Sequence, residues 1–212
     1  MKIIAVNGSP RKNWNTHILL EKCLEGARET GANTELINLY DIQFKGCTSC
    51  FSCKLKGSTV SKCVMKDYLE PILQKICECD ALVLGSPIYF ASVTGEMRSF
   101  MERLLFPYTS YEGKPSTFGK KIETAFIYTM NAPFSVLPQI GYTEVFKHNN
   151  ELMQRVFGKC ETLTVTETYQ FRDYSKYAAT YFDGTKRLER RETVFVEDCR
   201  NAFELGKKLC SR

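Results

Sequence analysis

The stretch Lys2-Ile3-Ile4-Ala5-Val6-Asn7-Gly8-Ser9-Pro10-Arg11-Lys12-Asn13-Trp14-Asn15-Thr16 decides the fold. Its apolar run is short and continuous, not alternating, which is the pattern of a strand covered on both faces, and Gly8-Ser9-Pro10 stops it. From Thr16 the apolar residues Ile18, Leu19, Cys23, Leu24 and Ala27 recur at spacings of three and four until Gly31-Ala32-Asn33, which predicts a helix with a glycine stop. A buried strand feeding a helix is the opening of a parallel crossover unit.

The alternation continues outward. A second strand is expected at 35–38, a long loop at 39–66, and a helix through Leu69, Ile72, Leu73 and Ile76. The strand Ala81–Gly85 then runs straight into Ser86-Pro87-Ile88-Tyr89-Phe90. A helix over about 95–105 places Met97, Phe100, Met101, Leu104 and Leu105 on one stripe, with Glu96, Arg98, Glu102 and Arg103 elsewhere around the cylinder. Further strands at 121–130 and 162–166 and helices at 139–157 and 193–210 complete the count. Five strands interleaved with helices predict an α/β fold, a doubly wound five-stranded parallel sheet with helices on both faces. Such sheets bind ligands outside the carboxyl ends of the strands, where the strand order switches. Three strand ends, Gly8 to Thr16, Ser86 to Phe90 and Thr129 to Pro133, are expected to share one crevice. The expected organisation is a single domain over 1–212, with a cysteine-rich loop at 45–66 and a carboxyl-terminal arm and helix at 169–212.

Composition narrows the function. With 212 residues, 43% hydrophobic and 25% charged, the chain is neither disordered nor collagen-like. Its net charge of +5 is spread along the sequence, which argues against a nucleic-acid partner and suits a small anion. No apolar run is long enough to cross a bilayer, and the first residues are too few for a signal-peptide core, so no membrane association and a cytoplasmic location are expected. In that compartment the ten cysteines read as ligands or redox groups before disulfides.

The loop after the first strand carries phosphate-binding chemistry. A helix amino terminus offers unpaired N–H groups and partial positive charge; Ser9 and Thr16 add hydroxyls, Asn13 and Asn15 amides, and Arg11 and Lys12 charge. The same residues also suit an ordinary turn with Asn15 or Thr16 as helix cap. Neither G-x-x-x-x-G-K-[ST] nor G-x-G-x-x-G is present, which leaves a mononucleotide phosphate. A cysteine-dependent hydrolase would need a placed histidine, and only His17 and His148 exist. No catalytic side chain is assigned.

Cys47-x2-Cys50-x2-Cys53 is followed by Cys63 after a turn containing Gly57 and Ser58. Four thiols at such spacing suit a 4Fe-4S cluster, a zinc ion or free thiols. Cys23, Cys77, Cys79, Cys160, Cys199 and Cys210 read as core or surface residues.

Gly8-Ser9-Pro10-Arg11-Lys12-Asn13-x-Asn15-Thr16, Gly85-Ser86-Pro87-Ile88-Tyr89-Phe90 and Gly95-Glu96-Met97-Arg98-Ser99-Phe100, in that order, resemble the flavodoxin-like NAD(P)H-dependent FMN reductase family, and within it the iron-sulfur flavoprotein branch. The resemblance implies that Ser9, Arg11, Asn13, Asn15 and Thr16 hold the FMN phosphate, that Pro87, Ile88, Tyr89 and Phe90 line the flavin ring, and that Thr129, Met130 and Asn131 supply a third loop. It implies Cys47, Cys50, Cys53 and Cys63 as the ligand set of any cluster, although the nine-residue gap before Cys63 is longer than that branch usually has. Relatives often have glycine at Trp14, so a positive φ there would strain the tryptophan. The activity implied is FMN-dependent oxidation of NAD(P)H with electrons passed to a small-molecule acceptor or a redox protein such as ferredoxin, in a homodimer or tetramer. The alternatives are a 4Fe-4S electron carrier and a flavin-binding sensor without turnover.

Overall fold

The computed structural model describes residues 1–57 and 60–211; Ser58, in the turn expected before Cys63, and Arg212, at the end of the expected arm-and-helix segment, lie outside the described residues. The chain runs β1 (Lys2–Asn7), α1 (Asn15–Glu29), β2 (Asn33–Asn38), α2 (Glu70–Glu78), β3 (Ala81–Tyr89), β4 (Ser92–Val93), α3 (Gly95–Leu105), β5 (Glu123–Thr129), α4 (Tyr142–Phe157), β6 (Cys160–Val165), α5 (Gly184–Glu192) and α6 (Val194–Cys210). Five strands form a parallel sheet in the order β2-β1-β3-β5-β6, and β4 turns back antiparallel on the end of β3.

The central strands are buried on both sides because successive side chains enter opposite cores. Ile3 and Ala5 join Leu20, Leu24, Val83, Ile127 and Ala202 under α1 and α6. Ile4 and Val6 join Leu84, Phe100, Leu104, Phe126 and Met153 under α2, α3 and α4. The chain crosses from one side of β1 to the other between β2 and β3, so the switch in strand order lies between the carboxyl ends of β1 and β3. Gly8 N–H donates to the Gly85 carbonyl at 2.8 Å and carries that pairing into the loops.

Helices α1 and α6 touch backbone to backbone. A Cβ on Gly26 would stand 1.9 Å from the Phe203 carbonyl oxygen, and one on Gly206 would stand 1.8 Å from that of Cys23. Glycine is needed on both helices for this approach.

Boundaries depart from the sequence reading where glycines intervene. Helix α4 begins at Tyr142, not 139, because Gly141 takes a left-handed φ of 76°, and it stops before Gly158 at φ 110°. Two elements were not anticipated. Within the arm, α5 starts from an Asp183 side-chain cap onto Lys186 N–H. The β3–β4 hairpin turns through Phe90 and Ala91, at φ 48° and 60°. Two left-handed residues in a two-residue hairpin favour Asn-Gly, and wholly exposed Phe90 gains no packing in exchange. Phe90→Asn with Ala91→Gly is expected to stabilise the chain by about 1–2 kcal/mol, read as a higher urea midpoint; an unchanged midpoint would show the turn to be unstrained.

Candidate functional site

The three strand ends meet in one crevice of about 200 Å³. It is lined by Ser9, Arg11, Asn15 and Thr16 from the first loop, Pro87, Ile88 and Tyr89 from the second, and Thr129, Met130 and Asn131 from the third. Asn13 and Phe90 do not line it: both side chains are exposed.

Buried polar side chains set the loops. Asn7, with no exposed surface, accepts from Ser9 N–H at 3.0 Å and donates to Asn38 at 2.9 Å, which bends the chain as β1 ends. Ser9 Oγ accepts from Arg11 N–H at 3.1 Å. Thr94 caps α3 by accepting from Met97 N–H and donates its hydroxyl to the Gly8 carbonyl at 2.6 Å, while its own N–H donates to Ser86 Oγ. Thr16 and Thr129 share a hydroxyl hydrogen bond of 2.8 Å between the first and third loops.

The strain expected at Trp14 is absent, since its backbone is extended at φ −121°. The left-handed residue is Asn13 at φ 55°, a type that tolerates it. Trp14 stands as the cap of α1 without a side-chain cap hydrogen bond. The N–H groups of Asn15, Thr16 and His17 accordingly find no protein acceptor among the described residues.

The arm closes one side of this opening. The Tyr169 carbonyl accepts from Trp14 Nε1 at 3.0 Å and Asn15 Nδ2 at 2.9 Å, and the Gln170 carbonyl accepts from Arg11 at 2.6 Å. Arg191 donates to Asn15 Oδ1 at 2.7 Å, Arg187 to Asn131 Oδ1 at 2.7 Å, and Asn131 Nδ2 to Gln170 Oε1 at 2.9 Å. Both ends of the Asn15 and Asn131 amides are therefore held by the arm, so these two residues brace the crevice walls. Sequence reading missed Tyr142, Thr168, Gln170, Arg187 and Arg191; the aromatic arm was visible, but nothing local indicated where it folds back.

Charge at this end is positive. The guanidinium carbons of Arg11, Arg172 and Arg191 lie 4.3, 5.9 and 6.0 Å from the Trp14 ring centre. None of them forms an ion pair among the described residues, whereas Lys12, Arg187 and Arg190 are paired with Asp41, Glu167 and Asp198. Burial pushes the Tyr89 phenol up, against the pull of Arg11.

The cysteine loop lies apart, against the carboxyl end of α3. Cys47, Cys50, Cys53 and Cys63 all line one gap of about 20 Å³, with Phe51, Val64, Met65, Phe106 and Pro107 as apolar neighbours. Lys54 pins the loop by donating to the carbonyls of Phe106, Pro107 and Thr109 at 2.5, 3.0 and 2.6 Å. Arg103, read from the sequence as lying off the apolar stripe of α3, is 1% exposed: it packs under the cysteine loop and donates to Asp67, the Lys45 carbonyl and Cys63. Among the described residues no three His, Cys, Asp or Glu side chains gather tightly enough to chelate a single ion. Four cysteine thiolates are nonetheless the donor set that a 4Fe-4S cluster would require. A larger cavity of about 690 Å³ adjoins the loop, between α2 and α3, but it touches none of the strand ends.

A doubly wound sheet with an anion-ready helix end at its switch point defines a mononucleotide-binding α/β protein. Residues 1–130 match the model of the NADPH-dependent FMN reductase family, and the chain belongs to that family. It is 39% identical over 103 residues to an iron-sulfur flavoprotein of Methanocaldococcus jannaschii, covering 49% of this chain and 51% of that protein. An iron-sulfur flavoprotein of Archaeoglobus fulgidus is 42% identical over 103 residues, 49% of this chain and 48% of its own length. The chain thus spans about half the length of the curated relatives it matches. Among solved structures, an NAD(P)H:quinone oxidoreductase from Methanothermobacter marburgensis superposes with a TM-score of 0.71 at 14% identity, covering 100% of this chain and 98% of that one. An azoreductase from Bacillus anthracis gives 0.65 at 14% identity, over 98% and 99% of the two chains. These two likenesses concern the fold, and they agree with the flavodoxin-like doubly wound sheet read from the sequence. No helix among the described residues is long and apolar enough to cross a membrane.

Proposed function

We propose that the chain is an FMN-binding, NAD(P)H-dependent oxidoreductase that passes electrons to a small-molecule or protein acceptor. The observation that carries this reading is the uncapped amino terminus of α1, whose free N–H groups open into the crevice beside Ser9 and Thr16. FMN, when bound, would supply the redox chemistry that links a two-electron nicotinamide donor to the acceptor. The protein's work is to bind, orient and exclude water. The N–H groups of Asn15, Thr16 and His17 and the hydroxyls of Ser9 and Thr16 hold the phosphate, and Arg11, Arg172 and Arg191 balance its charge. Pro87, Ile88 and Tyr89 on one side and Thr129, Met130 and Asn131 on the other bound the ring. Asn13 acts through its left-handed backbone, which shapes the first loop, and Phe90 takes no part in the lining.

Assembly into a homodimer or tetramer belongs to this reading. Tyr111, Tyr177 and Tyr181 are exposed and available for it. Phe106 and Tyr108 instead pack edge-on against Phe51 and Phe118 of the same chain.

A second reading is favoured by the gap shared by the four cysteines and by the name the relatives carry: Cys47, Cys50, Cys53 and Cys63 hold a 4Fe-4S cluster, which would supply one-electron transfer between FMN and a redox protein such as ferredoxin. Cys50 and Phe51 are the exposed members of that lining.

An anaerobic absorption spectrum of freshly purified protein, followed by chromatography of the released chromophore, tests both. Flavin bands are expected, with a broad dithionite-bleachable shoulder if the cluster is present. Flavin bands alone would return the cysteines to thiols. Protein that is colourless and takes up no added FMN would overturn both readings.

A further inference from the structure

The sulfur ligands of an iron-sulfur site do not act alone, because hydrogen bonds to those sulfurs set the potential at which the site accepts an electron. One such donor reaches the loop from α3, and the cysteine spacing does not reveal it. Arg103, on α3, is 1% exposed and is among the largest fully buried side chains. A buried guanidinium needs acceptors for its five N–H groups. Three point at oxygen: Nη1 donates to Asp67 Oδ2 at 2.7 Å and to the Lys45 carbonyl at 2.9 Å, and Nη2 to Asp67 Oδ1 at 3.2 Å. The fourth, on Nε, points at Cys63 Sγ, 3.1 Å away. A neutral thiol is a poor acceptor for a charged donor, whereas a metal-bound thiolate is a good one.

The same contact explains how a cysteine far from the other three in sequence returns to them. Ser61 N–H donates to the Cys53 carbonyl at 3.0 Å, closing the intervening segment, and Arg103 then anchors Cys63 from the opposite side. Cys77, which lines the same cavity as Cys63, is bound to the Tyr108 hydroxyl at 2.8 Å.

We infer that Arg103 is a positioning residue that fixes Cys63 Sγ as the fourth cluster ligand and, by donating to that sulfur, raises the reduction potential of the cluster. The inference rests on the 4Fe-4S reading above. Reduction adds negative charge to a site already carrying four thiolates, and a guanidinium N–H on one of them offsets part of that charge. Asp67 holds the guanidinium plane in place, so that its Nε–H faces sulfur.

The test uses the full-length protein with FMN bound, reconstituted anaerobically with iron and sulfide. Arg103→Lys keeps the charge and loses the fork. Arg103→Gln with Asp67→Asn keeps the pair neutral and hydrogen-bonded, so that no carboxylate is left buried alone. Iron and sulfide content, FMN content and a mediator titration followed by electron paramagnetic resonance are compared with wild type. Both variants are expected to retain FMN and to load the cluster less completely. The loaded cluster of the double variant should accept its electron at least tenfold less readily, a shift of about 59 mV to more negative potential for a one-electron couple. In wild-type protein carrying isotope-labelled arginine, the reduced cluster should show a weak arginine nitrogen hyperfine coupling, a readout that requires no variant to fold. An unchanged potential, or no arginine coupling in a loaded wild-type cluster, would overturn the role of Arg103 and leave the cluster reading standing. Wild-type protein that takes up no iron or sulfide would overturn both.

Discussion

Gly206→Ala is expected to destabilise the chain by at least about 2 kcal/mol. Alanine in a helix interior gains about 1 kcal/mol over glycine, so the sign depends on what the added Cβ meets. At Gly206 it would meet the Cys23 carbonyl oxygen at 1.8 Å and the Ala27 nitrogen at 3.0 Å, both backbone atoms of α1 that cannot rotate away. The two helices must separate, opening the core around Leu24, Ala202 and Leu209; overpacking typically costs about 1–3 kcal/mol and occasionally more, and a clash with backbone this close belongs at or above the top of that range. Urea unfolding gives the answer; an unchanged or raised midpoint would mean that the helices do not cross in backbone contact. Because α1 also carries the uncapped amino terminus, weaker FMN binding should accompany the loss.

The second large effect falls on the crevice. Ser9→Ala with Thr16→Ala removes the two hydroxyls proposed to contact phosphate and should weaken FMN binding by roughly 1–3 kcal/mol, about 5- to 150-fold. In the present structure Ser9 Oγ accepts from Arg11 N–H, which leaves its own proton to donate, while Thr16 shares a hydrogen bond with Thr129. Titration followed by quenching of flavin fluorescence measures the change. An unaltered affinity would place the phosphate elsewhere.

The sheet was legible because each central strand carries a continuous apolar run, Ile3–Val6, Ala81–Leu84 and Ala125–Ile127, as a sheet covered on both faces requires. The crevice was legible because each of its three loops directly follows such a strand. What escaped was non-local. Arg191 reaches Asn15 from 176 positions along the chain, and Arg187 reaches Asn131 from 56, so no window of local periodicity contains either pair. Arg103 escaped for a different reason: charge on a helix reads as solvent-facing, yet this side chain lies one turn beyond Phe100, on the flank of the buried stripe, with a carboxylate and a sulfur waiting for it. The worry over Trp14 was misplaced by one residue, because the left-handed turn falls on Asn13.

The fastening of the arm bears on how such a chain can be recombined. The family match ends at residue 130, but the first and third loops of the crevice are braced by Tyr169, Gln170, Arg187 and Arg191, all beyond it. A chimera joined near residue 130 would bring a foreign tail against the Asn15 and Asn131 amides and leave their polar ends without partners. Here the heritable unit is a three-dimensional patch, not a contiguous module: Asn15, Asn131 and the arm arginines would have to be exchanged together.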